Sequence, residues 1–212
     1  MTNDESGSFG RLVAKVISYL FHPLLLPTLG LWLIFHTDTY LSFVLPLAAR
    51  IQLYILVFIS TFIFPVLSSV LLLSLGKIRS LHMETAEERR LPYLLTVVYF
   101  SLGYYMITSR FPLPAQVVLM LLGANVSVAI TMLVNMKWKV SAHAIGIGGL
   151  TGALLGFSHQ LQVSVLNELM LVTLIAGLIG YARLKLDAHN SAQVYVGYLI
   201  GFLCEFLLFI FL

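Results

Sequence analysis

A single cysteine, Cys204, stands in a chain of 212 residues, and it lies inside an apolar run. That excludes a disulfide framework and a thiolate metal site. Charge is scarce as well: Asp, Glu, Lys and Arg make up 10% of the chain, where an ordinary soluble domain carries about a quarter. The net charge of +3 is spread over several loops with no Lys/Arg-rich block, so a nucleic-acid partner is not expected. The first ten residues, MTNDESGSFG, lack the basic n-region and cleavage site of a secretory leader. They read as a disordered tail ahead of one domain over 11–212.

What is present in excess is apolar surface: 59% of the residues are hydrophobic and the mean hydropathy is +0.97. The expected fold is all-α, a multi-pass transmembrane bundle of six or seven spans. A first crossing runs from Arg11 to about His36, kinked by Pro23 and Pro27. Ile51–Leu75 forms a second span, kinked at Pro65, long enough for the roughly 30 Å hydrocarbon layer. Leu91–Ile107, Ala115–Asn135, a helix opening at His143, Val165–Ala182 and Gln193–Leu212 follow. The fifth carries Gly148, Gly152 and Gly156 at four-residue spacing, which lets helix backbones approach closely in lipid.

Counting crossings puts the loops after spans two, four and six on one face. Arg89 and Arg90, Ser141 and His143, and Arg183 and His189 then converge at one mouth of the bundle, where membrane proteins collect their polar groups. An arginine fork suits phosphate oxygens. A neutral imidazole beside it can attack phosphorus. Ser141 opens a helix whose N-terminal N–H groups favour an anion, and His143 is placed to act as a general acid. His22, His36, His82 and His159 read as ordinary loop or interface residues. Glu205, deep in the last span, has no partner that the sequence names.

The spacing Arg183-x5-His189 followed by Val194, Gly197 and Gly201 resembles the third motif of the type 2 phosphatidic acid phosphatase (PAP2) superfamily. Val140-Ser141-Ala142-His143 resembles its second motif, usually Pro-Ser-Gly-His, with valine and alanine replacing proline and glycine. Of the first motif only Arg89-Arg90-Leu91-Pro92 remains: His82 and Met83 stand seven residues ahead, where a lysine is usual. Gln193 replaces the aspartate that orients the nucleophilic histidine.

The resemblance implies His189 as nucleophile, His143 as acid, Gln193 as orienter, and Arg183, Ser141, Arg90 and Arg89 as phosphate ligands. It implies no metal and no cofactor. The implied reaction is hydrolysis of a lipid phosphate or polyprenyl diphosphate through a phosphohistidine, in a bacterial inner membrane. Two other readings stand beside it. One is an inactive PAP2-like protein that binds anionic lipid or a partner. The other is an isoprenoid diphosphate enzyme holding Mg²⁺ on Glu84, Glu87, Glu88 and Asp187. Ten of the twelve Lys and Arg residues fall on the site face, leaving Arg50 and Arg110 opposite. The positive-inside rule therefore predicts a cytoplasmic site.

Overall fold

The computed structural model describes residues 2–81, 83 and 85–212, with side chains from Ser8 onward. Helix accounts for 82% of the residues, and no strand occurs among the described residues. Helix α1 (Thr2–Leu20) breaks at His22 and passes through a 3₁₀ turn, Pro23–Leu25, into α2 (Leu26–His36). Proline cannot donate into the preceding turn and crowds it, which forces the break; the His22 ring Nδ1 accepts the Leu24 N–H at 3.4 Å.

Over the stretch expected to be a disordered tail, 1–10, the structure has α1 starting at Thr2. Its small-residue stripe of Gly10, Ala14 and Ser18 is turned inward, with Gly10 against the Lys185 and Tyr181 side chains. A helix anchored in this way extends backward at one backbone bond per residue fixed.

At the far end of the bundle the short α3 (Leu41–Val44) leads through Pro46 to α4 (Leu47–Phe58). One π-helical turn, Ile59–Ile63, joins α4 to α5 (Phe64–Ser74). The wide turn lies just ahead of Pro65, whose missing N–H frees backbone that has to be satisfied locally. Thr61 in this turn links the two breaks: its hydroxyl lies 2.8 Å from the Val57 carbonyl and 3.1 Å from the Leu24 carbonyl.

Five longer helices follow: α6 (Ala86–Arg110), α7 (Ala115–Asn135), α8 (Ala142–Leu161), α9 (Leu166–Lys185) and α10 (Ser191–Phe211). Six segments are long and apolar enough to cross a membrane: Ser8–His36, Leu47–Ser74, Ala86–Arg110, Ala115–Asn135, Leu166–Lys185 and Ser191–Phe211. The chain is a multi-pass membrane protein. Helix α8 falls outside that set because glycine and histidine dilute it, yet it is the axis of the bundle, with residues from Ala144 to Phe157 almost continuously buried.

Helices α8 and α10 run side by side in the same direction. A Cβ at Gly148 or Gly152 would strike the carbonyl of Tyr198 or Phe202, and one at Gly201 would strike the carbonyl of Ile145. Backbone therefore touches backbone along this seam, the close approach that gives van der Waals attraction in lipid. Deeper along it Glu205 is 4% exposed, its carboxyl lying against Gly123 of α7, and its Oε2 has no hydrogen-bond partner among the described residues. The consequence for function lies at the other end: the parallel seam brings the N-termini of α8 and α10 to the same mouth.

Candidate functional site

The Arg183-to-His189 spacing is the signature of a helix end followed at once by a helix start. Helix α9 closes with the Ala188 N–H on the Arg183 carbonyl at 3.2 Å and the Asp187 N–H on the Leu184 carbonyl at 3.0 Å. Asp187 itself takes the left-handed conformation, φ 52°. This paired six-to-one and five-to-two bonding is a Schellman turn, with aspartate where glycine is commonest. Two residues later Asn190 caps α10, its side chain accepting the Gln193 N–H at 2.9 Å. Arg183 thus sits on the last turn of one helix and His189 just before the first turn of the next.

Gln193 closes the cap from the other side: its Oε1 accepts the Asn190 N–H at 3.2 Å. A backbone N–H only donates, so this bond identifies that atom as the amide oxygen rather than the nitrogen. The same Oε1 lies 3.1 Å from His189 Nδ1. Nδ1 must therefore be the donor, and in the neutral ring Nε2 carries the lone pair. Gln193, expected to orient His189, is thus its hydrogen-bond partner.

The loop ahead of α8 is pinned beside this pair. The Ser141 N–H donates to the Gln193 carbonyl at 3.2 Å, and Asn135 Oδ1 accepts the Val140 N–H at 3.3 Å. Ser141, with no exposed surface, caps α8 by accepting the Ala144 N–H at 3.3 Å. In this structure it organises the helix N-terminus rather than opening toward solvent. His143, in the first turn of α8, donates from Nε2 to the Ser18 carbonyl at 3.1 Å, because a carbonyl only accepts.

Arg183 reaches the same residue, its Nη1 donating to the Ser18 hydroxyl at 3.2 Å, while its buried Nε has no hydrogen-bond partner among the described residues. The His22 ring packs edge-on to His143 with centroids 5.8 Å apart. That places His22 in the site, against its reading as an ordinary loop residue.

The first-motif arginines divide. Arg89 is 8% exposed and donates from Nη1 to the Met83 carbonyl at 3.1 Å. Its charge acts on His189, together with those of Arg183 and Lys139. Arg90, the next residue round the helix, is exposed, and the structure does not bring it to the histidines. Burial, reinforced by the Arg183 guanidinium, lowers the His189 pKa to about 4, against the pull of the Gln193 bond; Lys139 and Arg89 push the same way as Arg183. The free ring is thus neutral near pH 7.

Carboxylates are used elsewhere. Glu88 accepts the Arg79 N–H at 3.0 Å and completes the Thr85 capping box, and Asp187 pairs with Arg11 at 3.3 Å on the surface. Glu84 and His82 lie outside the described residues. Among the described residues no three His, Cys, Asp or Glu side chains gather as a metal site would need, so Glu87, Glu88 and Asp187 do not form one by themselves.

Sequence reading missed Ser18, His22 and Lys139. The inward stripe of small residues at positions 10, 14 and 18 was a legible signal for Ser18; Lys139 offered only its closeness to Ser141. What the arrangement supplies is an unprotonated imidazole nitrogen on a ring that feels the charges of Arg183, Lys139 and Arg89. No family model matches the chain, and it has no match among curated proteins or solved structures.

Proposed function

We propose that the chain is an integral-membrane phosphatase of lipid phosphates or polyprenyl diphosphates, working through a phosphohistidine on His189. The observation that carries this reading is the fixed tautomer of His189, which leaves the Nε2 lone pair free on a ring that feels the charges of Arg183, Lys139 and Arg89. In the first step Nε2 attacks phosphorus, a P–N bond forms, and the P–O bond to the lipid breaks with the electron pair leaving on oxygen. The cations stabilise the charge that gathers on the phosphoryl oxygens. In the second step water displaces the histidine and releases inorganic phosphate.

His143 is proposed as the proton source for the leaving oxygen. Its Nε2 proton is held by Ser18, so the neutral ring takes a proton at Nδ1 from the substrate phosphate monoanion and passes it to the leaving oxygen. We further propose that the site face is cytoplasmic, in a bacterial inner membrane, and that the fold is PAP2-like.

The test is phosphate release by the purified protein from a panel of phosphatidate, lysophosphatidate and polyprenyl diphosphates, with and without EDTA. Release that survives the chelator, is lost in His189→Ala, and is accompanied by a trapped acid-labile phosphoryl group only in the unaltered chain supports the reading. Turnover undiminished in His189→Ala rules it out. A second reading, an anion-binding protein without turnover, is favoured by one observation: Gln193 offers His189 no charge with which to stabilise an imidazolium. Lipid phosphate binding with no release across the panel would support that alternative.

A further inference from the structure

The residue that touches both Arg183 and His143 belongs to neither of their helices. Ser18 lies in the last turn of α1, one of the final carbonyls of a helix that runs out of its own donors. Its carbonyl accepts His143 Nε2–H at 3.1 Å and its hydroxyl accepts Arg183 Nη1–H at 3.2 Å. Ser18 is 9% exposed, so both bonds are made away from bulk water.

A guanidinium offers two ways to grip an anion with two parallel bonds: the end formed by Nη1 and Nη2, or the side formed by Nε and Nη2. Ser18 engages one of the two Nη1 hydrogens and so fixes the guanidinium plane, without using the Nε–Nη2 side. That side includes the buried Nε that has no partner among the described residues. The chain arrives at this position through the Gly10, Ala14, Ser18 stripe, and Arg11 on the same helix holds Asp187 in the turn that carries His189.

We propose that Ser18 is a positioning residue of the anion site, fixing Arg183 so that its Nε–Nη2 edge receives the phosphoryl group and holding the His143 ring by its Nε2 proton. The N-terminal helix is then a wall of the site, not an appendage to it. This rests on the phosphatase reading for its substrate class but not for its geometry.

The experiment uses the full-length protein in lipid nanodiscs and two readouts. Binding of inorganic pyrophosphate is measured by calorimetry, and KM and kcat are measured on whichever lipid phosphate the screen finds active. Ser18→Ala keeps the carbonyl bond to His143 and removes only the hydroxyl. The expected result is a rise of about tenfold in both the pyrophosphate Kd and KM, the scale of one hydrogen bond to a charged group, with kcat within about threefold. Ser18→Thr, which keeps the hydroxyl, is expected to restore both to within about twofold.

Pyrophosphate bound equally well by Ser18→Ala and the unaltered chain would overturn the positioning role while leaving the anion site standing. So would a loss of thermal stability with no change in Kd. If the unaltered chain neither binds pyrophosphate nor releases phosphate, the phosphatase reading and this role fall together.

Discussion

Gln193 Oε1 accepts two hydrogen bonds at once, from the Asn190 backbone at 3.2 Å and from His189 Nδ1 at 3.1 Å. One atom thereby caps a helix and sets the tautomer of the proposed nucleophile. Because Glu and Gln serve equally at this third helical position of a capping box, Gln193→Glu keeps the cap and adds a charge that stabilises the imidazolium. We expect turnover to rise at least about tenfold, within the roughly 10⁴-fold span separating carboxylate from amide in a hydrolase triad. Steady-state phosphate release checks this; an unchanged or lower kcat with the fold intact would give the glutamine another role.

The depressed His189 pKa sets the direction of the pH dependence. A free histidine titrates near 6.5, whereas this ring resists protonation until about pH 4. The unfolded chain therefore takes up the proton first, and stability declines as pH falls from about 6.5 through about 4. The acid limb of kcat/KM is expected near 4. In ¹⁵N NMR titrations, Arg183→Gln should raise the His189 midpoint without restoring the free value, because burial is the larger cause. Gln193→Leu should lower it. A midpoint unmoved by Arg183→Gln would mean that the guanidinium does not face the ring.

Packing along the α8–α10 seam gives a stability prediction with an internal control. Gly201→Ala puts a methyl group into the Ile145 carbonyl, so overpacking should cost about 1–3 kcal/mol. Gly177, also helical, has nothing within 4 Å of a built Cβ. Gly177→Ala should be neutral or stabilising by roughly 0.5–1 kcal/mol. Thermal unfolding in one detergent compares the two; equal melting temperatures would contradict the seam.

The cytoplasmic placement of the site is tested by labelling single cysteines in a Cys204→Ala background. Lys77, on the site face, and Asp38, opposite, are both exposed. An impermeant maleimide applied to intact cells should reach Asp38→Cys and spare Lys77→Cys. The reverse pattern would put the site and its substrate on the outer side.

Much of this architecture was legible because apolar length is a coarse and robust signal. The span Ala115–Asn135 is reproduced residue for residue, and the first crossing to within three residues. Helix ends were harder to read. The apolar run of the third span starts at Leu91, yet the Thr85-x-x-Glu88 capping box starts the helix at Ala86. From there Arg89 falls on the buried stripe with Pro92, Thr96, Phe100, Gly103 and Ile107, and Arg90 falls off it; that helical register was available once the cap was recognised. The bonds from Ser18 to Arg183 and His143 span 165 and 125 residues. No local pattern encodes a contact of that range, so only the fold could supply it.

Because α8 and α10 run parallel, their N-terminal half-charges lie together instead of being cancelled by an antiparallel neighbour. Arg183, Lys139 and Arg89 add three like charges at the same mouth. Two helix dipoles aimed the same way repel, and the backbone contacts of the glycine seam hold them together against that repulsion. Anything negative that enters relieves the repulsion and stabilises the native state by mass action, about 2.7 kcal/mol at a hundredfold excess over Kd. The substrate headgroup would then act as a structural counter-ion as well as a reactant, and the melting temperature would register its arrival even where no bond is broken.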